Sequence, residues 1–353
     1  MSDMRDHLLA RIATTGPLTV ADYMADCLLH PTLGYYTTRD PLGAAGDFTT
    51  APEISQMFGE LVGLALAQAW IDQGQPAPFV MAEAGPGRGT LMADILRATG
   101  AVPGFHDAMR LHLIEASPVL REKQRETIGR DDITWLDSLA DLPDLPLFFI
   151  ANEFFDALPI RQFVRDGAGW RERRVVADDG ELGFALGGPA PVTALAPRLE
   201  DTKDDDLVEL CPAAPNLAAE IGRRIETFGG AALIFDYGDW RSQGDTLQAL
   251  KAHEPVDPLT HPGESDLTAH VDFEALASAT PAAHTRLTTQ GVFLERLGIT
   301  ARAQALAARL QGDALENLIA AHRRLTHPQE MGTLFKVLGF YPHSKTPPPG
   351  LDT

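Results

Sequence analysis

The segment Phe79-Val80-Met81-Ala82-Glu83-Ala84-Gly85-Pro86-Gly87-Arg88-Gly89-Thr90 constrains the fold more than any other. An apolar run of strand length passes directly into three glycines at alternate positions, then into a helical pattern, Leu91–Thr99. Glycines at such a turn let the backbone take left-handed angles and approach a ligand closely. The helix start that follows adds partial positive charge. One turn of this kind is a weak signal, but the texture around it repeats. Apolar runs at 79–83, 110–115, 132–136, 147–151 and 231–236 alternate with helical stretches such as Pro118–Ile128. That alternation predicts an α/β fold with a mostly parallel, doubly wound sheet and right-handed crossovers.

A chain of 353 residues suggests about two domains. Residues 1–75 read as a helical N-terminal extension packed on the core, with a helix over Ile54–Trp70 opened by a Thr50/Glu53 capping box. The core is expected over 76–160 and 229–341. Between its halves, 161–228 reads as an inserted cap with antiparallel strands at Gln162–Val164 and Glu172–Val176. Segment 238–272 reads as a lid-like loop, and 342–353 as a tail. Late in the chain, Arg286–Gln290 reads as a strand, Thr300–Leu325 as helical and Gly332–Val337 as a final strand.

Charge and cysteine content exclude several classes. Lysine and arginine number 29 against 49 acids, a net charge of −20, which repels nucleic-acid backbones and attracts a basic protein segment. Cys27 and Cys211 are far apart and form no CxxC pair, so no disulfide framework is expected and a reducing compartment fits. No run reaches the ~18 apolar residues of a membrane span. Met1–Gly16 carries Asp3 and Asp6 and resembles neither a secretory nor a mitochondrial leader. A bacterial cytoplasmic protein without membrane insertion is expected. His253, His261 and His270 share a polar region, but their spacing matches no ligand pattern, so no metal is expected. Oligomeric state is left open.

The glycine spacing points to a ligand. A dinucleotide fingerprint reads GxGxxG with a ribose acid about 20 residues on. Here the loop reads GxGxG, Glu83 precedes it, and the next apolar run, Leu111-His112-Leu113-Ile114, ends in Glu115. Glu115 is placed to accept the ribose hydroxyls, or to be a solvated strand-end acid. The third run ends at Leu136-Asp137-Ser138, where Asp137 is placed to accept from an adenine amino group. Acids in this series suit adenosine with an amino-acid tail, S-adenosylmethionine. Arg88 is a candidate partner for the methionine carboxylate or for a surface acid.

Several segments resemble the MidA-like (DUF185) class I methyltransferases. They are Leu33-Gly34-Tyr35-Tyr36, Gly46-Asp47-Phe48-Thr49-Thr50-Ala51-Pro52-Glu53-Ile54-Ser55-Gln56, Glu83 to Leu91, and Ile114-Glu115-Ala116-Ser117-Pro118. They continue with Ala151-Asn152-Glu153-Phe154-Phe155-Asp156-Ala157-Leu158-Pro159, Asp236-Tyr237-Gly238, Gly244-Asp245-Thr246-Leu247 and Asp266-Leu267-Thr268-Ala269-His270-Val271-Asp272-Phe273. The likeness runs from about Pro17 to Tyr341 and is poorest over 165–205 and 275–330.

The resemblance implies a Rossmann-like sheet of seven strands with the last one antiparallel, and S-adenosyl-L-methionine as cofactor. It implies an arginine side chain of a respiratory complex I subunit as substrate; a small-molecule methyltransferase and a non-catalytic assembly chaperone are the alternatives. Candidate cofactor residues are Glu83, Gly85, Pro86, Gly87, Arg88, Gly89, Glu115, Ala116, Asp137, Ser138, Asn152, Gly46 and Asp47. Candidate catalytic residues are Glu153, Asp156, Asn152 and Asp236, since paired carboxylates grip a guanidinium. On the substrate side stand Phe48, Glu53, Phe154, Tyr237 and His270. Other readings stay open: Asp156 as a helix N-cap, Glu53 as the capping-box partner, Asp236 as an anchor of its loop, and Phe154 and Phe155 as packing residues.

Overall fold

The computed structural model describes residues 3–38 and 50–353. The chain divides into two compact units, one of Met1–Phe48, Asp156–Ala214 and Arg241–Asp272, the other of Thr49–Phe155, Pro215–Trp240 and Phe273–Thr353. The N-terminal extension splits near residue 48, and most of Ala214–Phe228, expected in the cap, belongs to the second unit.

In the first unit, helices α1 (Met4–Thr15) and α2 (Val20–Leu29) bury Met4, Leu8, Ile12, Tyr23, Met24 and Cys27 in one cluster with Val175, Ala249 and Leu267. Its main sheet is antiparallel, in the order Leu18–Thr19, Gly169–Asp178, Arg161–Asp166, Leu207–Leu210, with Glu181–Ala190 also paired to Gly169–Asp178. The expected strands of the insertion are present, within longer strands. Glu254–Val256, Gln248–Lys251 and Asp266–Thr268 make a smaller sheet.

The second unit holds α3 (Gln56–Asp72), β1 (Phe79–Ala84), α4 (Thr90–Thr99), β2 (Met109–Ile114), α5 (Pro118–Ile128), β3 (Thr134–Leu136) and β4 (Leu147–Asn152). After them come α6 (Ala214–Phe228, all but its first residue in this unit), β5 (Gly230–Asp239), β6 (Ala283–His284) and β7 (Phe335–Tyr341). Among the described residues the strands run in the order β3-β2-β1-β4-β5-β7-β6. Pairs are parallel from β3 through β5, and β7 is antiparallel to both β5 and β6. These seven strands, the last of them reversed, are the path that the resemblance implied; two short strands pair off it and bring the sheet to nine. Every residue of β1 and β4 is buried, as strands covered on both faces require.

Local differences have local causes. The expected helix over Ile54–Trp70 is two helices, Ala51–Ile54 and α3, because Ser55 is extended (φ −162°, ψ 135°) and caps α3 through Met57 N–H at 3.2 Å. Thr50 makes no side-chain cap bond, so the capping box is absent. Of the expected strand Arg286–Gln290 only Thr288–Thr289 forms, against β7, just after β6 has paired with the same strand. The final strand starts late because Met331–Leu334 forms a helical turn first. A Cβ on Gly332 would lie 2.0 Å from the Thr326 carbonyl oxygen.

Helix α3 docks on α4 through glycine. A Cβ on Gly63 would sit 3.0 Å from Ile95 Cα. Buried Glu60 beside it accepts from Arg97 Nη1 at 2.7 Å and from Arg302 Nε and Nη2 at 2.8 and 3.0 Å. Bidentate pairing of this kind compensates a buried carboxylate. Gly63→Val forces the helices apart. We expect about 2 kcal/mol of destabilisation from overpacking, read as a melting temperature lower by roughly 4–8 °C; an unchanged midpoint would contradict this packing.

Candidate cofactor and active site at the strand ends

Parallel strands β1 to β5 end on one edge of the sheet, and the chain reverses its winding between β1 and β4, where open α/β sheets bind ligands. Along this edge lie Glu83, Glu115, Asp137, Asn152, Glu153 and Asp236. The structure thus brings together on one edge the candidate residues of the second unit. Asp156 and His270 belong to the first unit. Gly46, Asp47 and Phe48 lie outside the described residues.

The loop after β1 needs its glycines. Gly85, Gly87 and Gly89 have φ of 63°, 54° and 84°, angles that a Cβ disfavours. A Cβ on Gly85 would also press on Phe154 at 3.0 Å, and one on Gly89 would meet Gln124 Cα of α5 at 3.2 Å. Pro86 is buried within the loop, Arg88 is half-buried, and Gly89 is the N-cap position of α4. Thr90 donates to Glu53 Oε1 at 2.5 Å. Glu53 therefore ties the helix before α3 to the loop, instead of capping its own helix.

Among the described residues, two polar atoms on this edge are buried without a hydrogen-bond partner: Glu83 Oε2 and Asn152 Oδ1. Asn152 Oδ1 only accepts, as does the Glu83 carboxylate once ionised, and their strands are neighbours, Glu83 being opposite Ile150. Burial, and secondarily the charge of Glu115, pushes the Glu83 carboxyl up to about 8. Two orphaned acceptors beside a glycine loop fit a ligand bringing N–H donors, such as the amino group of an adenosyl-amino-acid cofactor.

Glu115 follows β2, half-buried. Its Oε1 accepts from Ser117 N–H at 2.8 Å, and Oε2 from Gln124 Nε2 at 3.1 Å. Burial raises its pKa, and these donors oppose the rise. Ala116 beside it is exposed. Asp137 is exposed and paired with Arg121, which also donates to the Glu115 carbonyl through Nε at 2.7 Å. Ser138 is exposed and caps a short helical turn through Ala140 N–H.

At the end of β4, Glu153 takes the left-handed φ of 52°, unusual for a non-glycine residue and often found at working sites. Its N–H donates to the Phe235 carbonyl at 2.9 Å. Its Oε1 accepts from Asn152 Nδ2 at 3.2 Å and Ala51 N–H at 3.4 Å. Asp236, fully buried, accepts from the N–H groups of Phe155 and Tyr237, each at 3.0 Å. Its carboxylate ties the Glu153–Phe155 turn of the neighbouring strand end as well as the start of its own loop at Tyr237. Phe154 stacks edge-on to buried Phe155 at 5.4 Å, and Tyr237 to Phe335 at 5.5 Å. In the first unit, Asp156 is buried and caps no helix, since 157–159 is not helical; its carbonyl accepts from Ala269 N–H. His270 N–H donates to Thr246 Oγ1 at 2.8 Å.

Arg121, Gln124 and Trp135 were not anticipated. Gln124 carried a signal: it interrupts the apolar stripe of Leu120 and Ile128 at helical spacing.

Glu83 makes stability depend on pH. Unfolded, its carboxyl titrates at 4.5; folded, it is held up to about 8. Between these values the folded chain keeps a proton that the unfolded chain has released, so stability falls as pH rises, by at most about 1.4 kcal/mol per pH unit. Glu83→Gln removes that slope. Melting temperatures of the two proteins should diverge from pH 5 to pH 8, the variant becoming the relatively more stable; parallel curves would contradict the buried acid.

Among known proteins, a family model describing S-adenosyl-L-methionine-dependent methyltransferases matches residues 61–292. Protein arginine methyltransferase NDUFAF7, mitochondrial, of Xenopus laevis is 36% identical over 371 residues, 96% of this chain and 84% of that protein. The Homo sapiens protein of the same name is 36% identical over 376 residues, 98% of this chain and 85% of its own. Their names place them in mitochondria, where a cytoplasmic protein was expected here. A superfamily member from Burkholderia thailandensis, solved bound to S-adenosyl-homocysteine, superposes with a TM-score of 0.81 at 30% identity, covering 99% of this chain and 92% of that one. Likeness of this reach joins what the strand order and the glycine loop suggested separately: the chain belongs to this family of S-adenosyl-L-methionine-dependent methyltransferases.

Proposed function

We propose that the methyl acceptor is an arginine side chain on a protein, a subunit of respiratory complex I. What carries this reading is the 36% identity, over nearly the whole chain, to proteins named as arginine methyltransferases. A net charge of −20 favours approach of a basic segment.

In this reading Glu83 and Asn152 receive the ammonium of the cofactor's methionine half, and the Gly85–Gly89 loop with Arg88 cradles that half. Glu115, with Ala116, takes the ribose, and Asp137 and Ser138 take the adenine; the resemblance adds Gly46 and Asp47, which lie outside the described residues. Bound there, S-adenosyl-L-methionine supplies an electrophilic methyl group on a sulfonium sulfur. An arginine guanidinium is cationic and a poor nucleophile. A carboxylate that pairs with it holds it planar and draws the positive charge away from the attacking nitrogen. Glu153 is that carboxylate, fixed at the sheet edge by its own strained backbone and by Asp236 behind it. The resemblance offers Asp156 as a second candidate. Phe154 and Tyr237 border the acceptor, Glu53 holds the glycine loop through Thr90, and Phe48 and His270 are substrate-side candidates from the resemblance alone. Two free thiols, Cys27 and Cys211, support a reducing, cytoplasmic setting.

The test is transfer of labelled methyl from S-adenosyl-L-methionine to purified complex I, followed by mass spectrometry of the labelled subunit. Methylarginine is expected; label on another residue type, or none, would contradict the reading. Glu153→Gln should lower kcat by about 100-fold, as for loss of one electrostatic contact to the reacting group. Affinity for S-adenosyl-homocysteine should stay within a few-fold of wild type.

A further inference from the structure

Gln124, on α5, is fully buried, and its carboxamide has three partners on three different segments. Nε2 donates to the Gly87 carbonyl at 2.8 Å and to Glu115 Oε2 at 3.1 Å; Oε1 accepts from Trp135 Nε1 at 2.8 Å. The indole N–H only donates, so the amide oxygen must face Trp135 of β3. That sets both amide hydrogens toward Gly87 and Glu115, with no alternative flip. Trp135 is itself held, with the Arg125 guanidinium 4.7 Å over its ring.

The geometry points to Gln124 as a positioning residue that couples the glycine loop to the ribose-binding carboxylate. The inference rests on the reading of Glu115 given above. The amide locks the Gly87 peptide, which lies in the loop's left-handed run, and fixes one face of Glu115 while Ser117 N–H fixes another. It is also a neutral donor that opposes the effect of burial on the Glu115 carboxyl. Glutamate at 124 cannot do this, since it would set an acceptor against both Gly87 O and Glu115.

Calorimetric titration of the full chain with S-adenosyl-homocysteine and with its 2′-deoxyribose analogue tests this. Wild type should favour the parent ligand about tenfold or more, as for a charge-assisted hydrogen bond. Gln124→Leu should weaken parent binding about tenfold and shrink that preference. A variant that binds the parent like wild type, or weakens both ligands equally, would overturn the inference. Trp135→Phe removes the indole donor but keeps the ring; it should shrink the preference in the same direction, and serves if Gln124→Leu does not fold. Acidification should weaken binding to Gln124→Leu at a higher pH than to wild type, because Glu115 protonates earlier without its donor. Glu115→Ala separates the two ideas: if it retains the preference for the parent ligand, the ribose reading fails, whereas a normal Gln124→Leu alongside a defective Glu115→Ala defeats only the role of Gln124.

Discussion

A parallel sheet covered on both faces leaves polar chemistry only at its strand ends, and the rest of this structure follows from that constraint. Strands β1 and β4 are buried throughout, so a charged side chain within them would lose its hydration with no partner in reach. The acids are therefore collected at the carboxyl edge, near the reversal of winding between β1 and β4. Helix α5, docked against Gly89, brings Arg121 and Gln124 to that edge.

The buried acids are handled in contrasting ways, and the contrast separates structure from chemistry. Glu60 is balanced by two guanidinium groups, and Asp236 uses its oxygens on backbone N–H groups. These two hold the frame. Glu115 is bonded on both oxygens by neutral donors, Ser117 N–H and the Gln124 amide. Glu83 has one oxygen without a partner among the described residues and a carboxyl pushed up to about 8. Strongly perturbed groups in such a place mark sites that await a ligand, and a cationic amino group is what would return Glu83 to its ionised form.

The sheet was legible because its signals are local: continuous apolar runs, a glycine loop and an acid at each strand end. Where the pattern misled, a distant contact decided. The apolar period runs unbroken through Ser55, whose extended backbone nevertheless splits the helix, and Glu53 meets Thr90 instead of Thr50. The division of the chain was hidden for the same reason, since Leu18–Thr19 pairs with Gly169–Asp178 far along the sequence. Asp236 was legible as a candidate and as an anchor of its own loop, but not as an anchor of the Glu153–Phe155 turn; that depends on the Phe155 N–H crossing from the next strand end. Gln124 showed only as a polar break in an apolar stripe, and its meaning lies in three partners that no spacing rule connects.

The claim that this edge is an adenosyl-cofactor site, with Glu83 answering the ligand's positive charge, is tested most directly by titration calorimetry with S-adenosyl-homocysteine at pH 7 in buffers of different ionisation enthalpy. Glu83 enters the titration protonated and leaves it ionised, so binding should release close to one proton, and Glu83→Gln should bind more weakly and release none. Proton release that is absent in wild type, or unchanged in the variant, would contradict the account.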